Sequence, residues 1–108
     1  MNLKKKSLNM VSTREKVYAF LRKVPRGRIT TYGALAKACK THPRAVAMFM
    51  KHNPDSVRTP CYKVIRSNGS LGGYSGRGGV KTKVALLKKD GISFKNGKID
   101  VKNHRHRF

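Results

Sequence analysis

The stretch of the chain most able to perform covalent chemistry is residues 60–64, which read Pro-Cys-Tyr-Lys-Val. The proline restricts the backbone just before Cys61, so the approach to the thiol is stiff. Lys63, Arg58 and Arg66 place positive charge near the sulfur, and such a field favours the thiolate, which is the nucleophile. A lone cysteine is more often a small buried core residue, and residue type alone favours that interpretation. The residues that flank Cys61 instead favour a reactive thiol.

The composition of the chain indicates a polyanionic partner. Its 108 residues suffice for one domain with a modest core. Lysine and arginine total 26 against 4 aspartates and glutamates, which gives a formal net charge of +22 at pH 7. Nucleic acid is the first candidate to neutralise this excess, and an anionic membrane surface is the second. The membrane interpretation is weaker, because no apolar run is long enough to span a bilayer or to form a signal-peptide core.

The cysteines and histidines match neither a disulfide framework nor a zinc site. Cys39 and Cys61 are too few for a secreted disulfide scaffold, so a reducing compartment is expected. His42 and His52 have no cysteine pairs beside them at zinc-ligand spacing. We therefore expect no metal and no cofactor, and a monomer in the cytoplasm, associated with the nucleoid.

Helical periodicity is clear near the start of the chain. Ser12 and Glu15 have the spacing of a capping box, which predicts a helix beginning at Ser12. Residues 25–28, Pro-Arg-Gly-Arg, predict its end. The apolar residues that follow the cap at helical spacing are Val17, Phe20, Leu21 and Val24.

Two further short helices are predicted next in the chain. One runs from about residue 33 to residue 39, and Thr31 can cap it. The other begins near Pro43, a proline suited to the first helical turn, and residues 53–55 end it. Two short helices joined by a tight turn, on a strongly basic chain, predict a helix-turn-helix, although many small domains pair helices for packing reasons alone.

The second half of the chain alternates turn signals with short apolar segments. Asn68-Gly69 is a hairpin turn signal. Residues 71–79 are dense in glycine, which fits a flexible linker or a loop whose backbone approaches a flat ligand. A lysine-rich helix ends at Asp90-Gly91, and a terminal hairpin turns at residues 95–98. The fold class predicted is mainly α with short β hairpins.

We expect one domain at residues 11–102 between two basic tails. Residues 1–10 contain three consecutive lysines, and a tail of this kind can add contacts to phosphates. Residues 103–108 are expected to form a frayed basic tail.

Residues 60–64, followed by Asn68-Gly69 and by Gly-Tyr-Ser-Gly at 73–76, closely resemble the active-site region of O-6-alkylguanine-DNA alkyltransferases. These proteins are also called methylated-DNA–protein-cysteine methyltransferases. The resemblance covers about residues 13–92, with several motifs in the same order at nearly matching spacing. It implies a winged-helix-like domain that presents its recognition helix to the minor groove. Many members carry an additional N-terminal domain, so we expect a minimal version of the family.

The resemblance also implies roles for individual residues. Cys61 would be the acceptor that takes the alkyl group irreversibly. Tyr32 would help to rotate the target nucleotide, and Arg44 would fill the vacated stack. Asn53 would act as a hinge that braces the active-site turn. The residues expected at the substrate pocket are Asn53, Val64, Tyr74, Ser75 and Gly76. Further contacts to DNA are expected from Lys63 and Arg77.

Two positions depart from the usual family motif, Pro-Cys-His-Arg-Val. The family histidine passes the cysteine proton, through water, towards a glutamate. Tyr62 stands at the histidine position here, and Asp90 stands where the glutamate is expected. A phenol has a pKa of about 10, so neutral Tyr62 is a poor base at pH 7. Tyr62 and Asp90 are still the predicted catalytic partners of Cys61, with activation depending on the local positive field.

The leading hypothesis is DNA repair by single-turnover transfer of the alkyl group from O-6-alkylguanine in double-stranded DNA to Cys61, after nucleotide flipping. The alternative is a non-catalytic alkyltransferase-like protein that binds lesions and recruits another repair pathway. Relatives of that kind usually lack the cysteine, so Cys61 favours transfer, whereas Tyr62 keeps the alternative open. A third interpretation, a basic helix-turn-helix protein without chemistry, is disfavoured by the Pro-Cys motif and the glycine-tyrosine loop.

Overall fold

The computed structural model describes residues 13–74 and 76–108. The predicted cap at Ser12, the tail at residues 1–10 and the pocket residue Ser75 therefore lie outside the described residues. No helix in the described part is both long and apolar enough to cross a membrane. The elements in chain order are α1 (13–22), β1 (Thr30–Thr31), α2 (Tyr32–Ala38), α3 (Pro43–Lys51), a 3₁₀ turn (Cys61–Lys63), β2 (Val64–Ile65), α4 (Gly79–Lys89), β3 (Phe94–Lys95), β4 (Lys98–Ile99) and α5 (Val101–His104).

Helices α2 and α3 form the predicted helix-turn-helix. Thr31 caps α2, because its Oγ1 accepts a 3.0 Å hydrogen bond from the N–H of Ala34. Lys40 takes the left-handed conformation, with φ of 56°, and so ends α2. Pro43 occupies the first turn of α3 after the N-cap residue His42. The local signals in the sequence thus placed both helices correctly.

Helix α1 packs across the helix-turn-helix and joins it to the remainder of the protein. Val17 and Leu21 are fully buried, as the periodicity predicts. The hydroxyl of Tyr18 donates a 2.8 Å hydrogen bond to the carbonyl of Phe49 on α3. The first helix is therefore tied to the third by a polar contact as well as by apolar packing.

Strands β1 and β2 pair in parallel, and this pairing differs from the expected hairpin. The Asn68-Gly69 turn does form, since the N–H of Gly69 donates to the carbonyl of Arg66 at 3.0 Å. In the described part of the chain, strand β2 nevertheless pairs with β1 and with no later strand, and all four residues of the two strands are buried. The prediction of a hairpin at this turn is wrong. The register places Thr30 opposite Val64 and Thr31 opposite Ile65.

The predicted terminal hairpin is present, with β3 and β4 antiparallel. Asn96 and Gly97 both have positive φ, at 55° and 75°, as a tight two-residue turn requires. The N–H of Ile99 donates to the carbonyl of Gly69 at 3.0 Å, so the hairpin docks on the turn that follows β2. Gly69 has φ of +88°, and a Cβ there would overlap the carbonyl oxygen of Ile99. Only glycine fits this close approach.

The C-terminal residues form an ordered edge of the fold. The N–H of Ile29 donates to the carbonyl of His104 at 2.9 Å, and the N–H of His106 donates back to Ile29 at 2.7 Å. A parallel β-bridge joins Ile29 to Arg105. The prediction that residues 103–108 fray is wrong, because these bonds satisfy backbone groups just before β1 that would otherwise be free.

Two apolar clusters fill the interior, and the cysteine motif contributes to both. Cys61 belongs to the cluster formed with α1, α2 and α3. Tyr62 packs against the other cluster, which consists of Ile29, Ile65, Leu87, Ile92 and Ile99. Adjacent side chains of the motif therefore point to opposite sides of the 3₁₀ turn. The predicted fold class, mainly helical with a helix-turn-helix and small sheets, is confirmed.

Candidate active site

Cys61 lies in a cleft between the helix-turn-helix and the glycine-rich loop. The cleft has a volume of about 370 Å³, which is within the range of small-ligand pockets. Cys61 itself is 7% exposed, so its sulfur is reached only through the cleft. The lining residues are Tyr32, Ala47, Met50, Lys51, Cys61, Gly73 and Tyr74.

The backbone that carries Cys61 is braced from two directions through Thr59. Arg22 on α1 donates to Thr59 Oγ1 from Nε at 3.1 Å and from Nη2 at 2.9 Å. Asn53 donates from Nδ2 to the carbonyl of Thr59 at 2.8 Å. Cys61 then begins the 3₁₀ turn, and its N–H donates to the same carbonyl at 2.8 Å. Asn53 thus contacts the backbone that leads into the 3₁₀ turn.

Two tyrosines give the cleft its aromatic walls. Tyr32, the first residue of α2, is half-buried, and this burial raises its pKa, so its hydroxyl stays protonated at neutral pH. Gly72 has φ of +70°, and a Cβ on it would lie 3.1 Å from the Tyr32 hydroxyl. A Cβ on Gly76 would overlap the ring of Tyr74. The glycines of this loop therefore allow the chain to approach both rings.

Tyr62, Asp90 and Lys63 form a second polar cluster outside the cleft lining. Burial, followed by the charge of Asp90 and a hydrogen bond to it, raises the pKa of Tyr62 to about 12. Asp90 also accepts from the N–H of Gly27 at 3.3 Å. The structure therefore brings the two predicted catalytic partners together. Tyr62 is a neutral phenol that donates a hydrogen bond to the carboxylate of Asp90. A phenol in this state is not a base at neutral pH.

Lys63 points into the protein and not towards the cleft or solvent. It is 6% exposed, and its Nζ donates to the carbonyls of Val24 at 3.0 Å and Pro25 at 3.1 Å. The same nitrogen lies 3.5 Å from Asp90 Oδ2. The prediction that Lys63 contacts DNA is therefore wrong, because Asp90 and two carbonyls hold its ammonium group inside the protein.

The remaining predicted residues occupy three different places. Arg44 is exposed on the first turn of α3 and lies outside the cleft lining, beside Met48. Arg77 is exposed at the end of the glycine-rich loop, and its carbonyl accepts a 2.7 Å bond from Thr82. Val64, predicted at the substrate pocket, is fully buried in β2 and is not among the residues that line the cleft. The exposure of Arg44 and Arg77 leaves both free to meet a large partner.

Lys83 is the residue that sequence reasoning missed. It lies on α4, is 1% exposed, and donates from Nζ to the carbonyls of Val64 at 2.8 Å, Leu71 at 2.6 Å and Gly73 at 3.2 Å. The signal was present, because position 83 lies four residues before the apolar Leu87 and so shares its face of α4, which is buried. The cleft residues Ala47, Met50 and Lys51 were also missed, since they follow only from how α3 packs.

Among the described residues, no three His, Cys, Asp or Glu side chains come together as metal ligands. The chemistry available in the cleft is that of a buried thiol beside two tyrosine side chains. The fold and site together define a helix-turn-helix domain with a buried free cysteine at a cleft.

The chain belongs to the family of 6-O-methylguanine DNA methyltransferases, and residues 12–92 match the model of the DNA binding domain of that family. It is 45% identical over 91 residues to a bifunctional methyltransferase/endonuclease of Picrophilus torridus, covering 82% of this chain and 30% of the relative. It is 43% identical over 88 residues to a methylated-DNA–protein-cysteine methyltransferase of Metallosphaera sedula, covering 82% of this chain and 54% of the relative. The chain thus spans about half or less of the length of these curated relatives.

One solved structure is similar over nearly the whole chain. It is S. pombe Atl1 in complex with damaged DNA containing O6-carboxymethylguanine, with a TM-score of 0.79. The match covers 90% of this chain and 96% of Atl1 at 22% sequence identity. At that identity the likeness establishes the fold, including the C-terminal region beyond the family match.

Proposed function

We propose that this protein repairs O-6-alkylguanine in double-stranded DNA by transferring the alkyl group to the sulfur of Cys61 in a single turnover. The observation that carries the proposal is the position of Cys61 in the cleft. The thiol is held on a braced 3₁₀ turn, between Tyr32 and Tyr74, in a space large enough for one flat base. The name of the family and those of the relatives support the same reaction.

The surface around the cleft is suited to DNA. A net charge of +22 favours binding to phosphates and makes the affinity fall steeply with salt. The exposed face of α3 carries Arg44 close to the cleft residues Ala47 and Lys51 on the same helix. A base buried in the duplex cannot reach Cys61, so the target nucleotide must be extruded. Arg44 would occupy the gap in the base stack and offset part of the unstacking cost.

The transfer is an in-line displacement at the alkyl carbon. The thiolate of Cys61 donates an electron pair to that carbon, the S–C bond forms, and the bond from carbon to O-6 breaks with its electron pair leaving on guanine. Guanine then takes up a proton, and the normal base is restored in the DNA. Tyr32 keeps its hydroxyl proton and can donate a hydrogen bond to the departing base. The thioether product is stable, so the protein reacts once.

Intact-mass measurement after incubation with a duplex containing O-6-methylguanine tests this proposal. We expect a gain of one methyl group per protein, located on Cys61 by peptide mapping. Cys61→Ser should bind the same duplex and gain no mass. Cys39→Ser is the matched control, because Cys39 is a buried thiol outside the cleft lining and its loss should leave transfer intact.

A non-catalytic lesion-binding protein is the second candidate function. The specific observation in its favour is that Tyr62, in the place of the family histidine, is a protonated phenol bonded to Asp90. In that case the mass of the protein would stay unchanged while the lesion duplex still bound more tightly than undamaged DNA. This outcome would replace the transfer proposal.

A further inference from the structure

A second groove, here called the basic groove, lies between β1, α2 and the C-terminal segment 105–108. Its volume is about 460 Å³, and Ser67 and Val101 complete its lining. None of the described residues that line it belongs to α3 or lines the cleft around Cys61. The basic groove is therefore a surface to which the transfer reaction gives no role.

Three of the side chains that line the basic groove carry a positive charge. Lys37 on α2 and the C-terminal Arg105 and Arg107 are all exposed. No Asp or Glu side chain is among the described residues of the lining. Where the structure describes the chain, the carboxylate that forms ion pairs is that of Asp90, which pairs with other cations. The three charges in the groove are thus uncompensated by the protein and attract an anion.

The base of the basic groove contains a hydrogen-bond donor that the fold leaves unused. Thr30 lines the groove and is 1% exposed, and its Oγ1 has no hydrogen-bond partner in the described part of the chain. A buried hydroxyl without a partner costs free energy, part of which is recovered when an oxygen atom accepts its proton. Cations at the rim and a hydroxyl at the base are the donors that bind phosphate groups in nucleic acids.

The segment that carries the two arginines is fixed at both ends. A β-bridge joins Arg105 to Ile29 at one end. At the other end, the ring centre of Phe108 lies 5.6 Å from that of Phe20 on α1 and 5.0 Å from that of His106. Since the segment is already ordered, the binding of a ligand in the groove does not have to order it, which favours affinity.

The basic groove and the cleft adjoin at the start of α2. Thr31 lines the groove, and the next residue, Tyr32, lines the cleft. A DNA strand whose extruded nucleotide enters the cleft therefore has flanking phosphates close to the start of α2. Lys37 lies further along the same helix and lines the groove. The same strand can thus continue from the cleft into the groove, which makes it a better occupant than an unconnected small anion.

We infer that the basic groove binds the sugar-phosphate backbone of the DNA strand that passes the cleft. Lys37, Arg105 and Arg107 contact its phosphates, and the hydroxyl of Thr30 donates to a phosphate oxygen. The inference rests on the DNA binding that the proposed function includes, and it adds a contact surface to that function. Both arginines lie beyond residues 12–92, which match the family model, so this contact is additional to those of the matched domain.

The first test measures the affinity for a labelled, undamaged duplex by fluorescence anisotropy at several salt concentrations. For Arg105→Gln combined with Arg107→Gln, we expect the affinity to fall about tenfold at about 0.15 M salt. The slope of log affinity against log salt should decrease by about two, because two phosphate contacts are lost. Lys98→Gln combined with Lys102→Gln is the matched control, since it removes two exposed charges outside the groove from the same end of the chain.

The control should decrease the salt slope by less than about one. Equal losses in the two double variants would mean that only the net charge matters, and the inference would be wrong. A groove variant that kept its affinity for DNA and lost its binding to phosphatidylserine vesicles would also contradict the inference, because the groove would then serve a membrane surface.

The second test removes the hydroxyl at the base of the groove without changing any charge. Thr30→Val should raise the Tm of the free protein, because a buried hydroxyl without a partner is lost. It should weaken DNA binding by about threefold and leave the salt slope unchanged. Wild-type affinity in this variant would show that no phosphate reaches Thr30 and would overturn the inference. Both tests use undamaged DNA, so a failure of alkyl transfer would be seen separately.

Discussion

The ammonium nitrogen of Lys63 lies 3.5 Å from a carboxylate oxygen of Asp90, and both side chains are less than a tenth exposed. Asp90 also receives the N–H of Gly27 and the hydroxyl of Tyr62. One carboxylate at the end of α4 therefore joins the loop after α1 to the 3₁₀ turn that carries the nucleophile. Asp90, which the sequence predicted to be a catalytic partner of Cys61, therefore has the contacts of a residue that stabilises the fold.

We expect Asp90→Asn to destabilise the fold, because it leaves the buried charge of Lys63 with carbonyl partners alone. Breaking a buried ion pair from one side typically costs about 3–5 kcal/mol, and the two carbonyls should keep the loss near the lower end. Arg26→Gln is the matched control, since Arg26 approaches the same carboxylate from a side chain that is 80% exposed. Its loss should cost about 1 kcal/mol or less. Urea unfolding of both variants would show equal losses if the burial of Lys63 were unimportant.

We expect Tyr62→Phe to change the rate of alkyl transfer by no more than a few-fold. A phenol whose pKa is raised to about 12 does not accept the thiol proton at pH 7, so its removal takes away a hydrogen bond and no base. Single-turnover kinetics with a lesion duplex would measure this. If the transfer rate instead fell about a hundredfold, as is typical when a general base is removed, Tyr62 would have a direct catalytic role. Tyr62→His should accelerate transfer, because a neutral imidazole can accept a proton at this pH.

We expect Arg44→Ala to impair transfer from duplex DNA more than transfer from the free modified base. The arginine is needed only where a base stack has to be filled, and the free base has none. Lys81→Ala, which removes one exposed charge from α4, is the control for a general loss of phosphate attraction. If Arg44→Ala slowed both substrates equally, the arginine would not act in the base stack.

The stability of the protein should rise with pH between about pH 8 and 10.5 through Lys83. Burial lowers the pKa of Lys83 from 10.5 to about 8, so in this window the unfolded chain binds more protons at this position than the folded protein does. Below pH 8 both states are protonated, and the cost of burying the charge is constant. Alkaline conditions therefore relieve this cost.

The measurement compares wild type with Lys83→Met, which does not titrate at this position. The difference in unfolding free energy between the two should move in favour of the wild type by about 2 kcal/mol from about pH 7.5 to about pH 9.5. The carbonyls left without a donor in the variant add an offset that does not depend on pH. A difference that stayed constant over this range would mean that Lys83 titrates as an exposed lysine does.

We expect Gly69→Ala to lower stability by more than 1 kcal/mol. Gly69 has a positive φ, and a Cβ there would overlap the carbonyl of Ile99, so the terminal hairpin would have to move away from the turn after β2. Gly33→Ala is the control, because Gly33 is inside α2 and a Cβ there meets nothing within 4 Å. That change should stabilise the helix by about 0.5–1 kcal/mol. Thermal unfolding of the two variants should therefore shift in opposite directions.

The sequence by itself determined the features that depend on a few neighbouring residues. The cap at Thr31, the proline at the start of α3 and the turn at Asn96-Gly97 are local hydrogen-bonding and φ preferences, and each formed as predicted. The order and spacing of the motifs around Cys61 also identified the family correctly.

Only the tertiary structure decided which distant groups meet. Strand β2 pairs with β1 although the turn after β2 forms as its sequence predicts, and the last residues of the chain bond to Ile29. Tertiary packing also gives two lysines of this region different partners. Lys63, beside the cysteine, is directed at Asp90, whereas Lys83, 20 positions further along the chain, donates to the carbonyl of the cleft residue Gly73, since packing and not proximity in sequence determines where a charge lies.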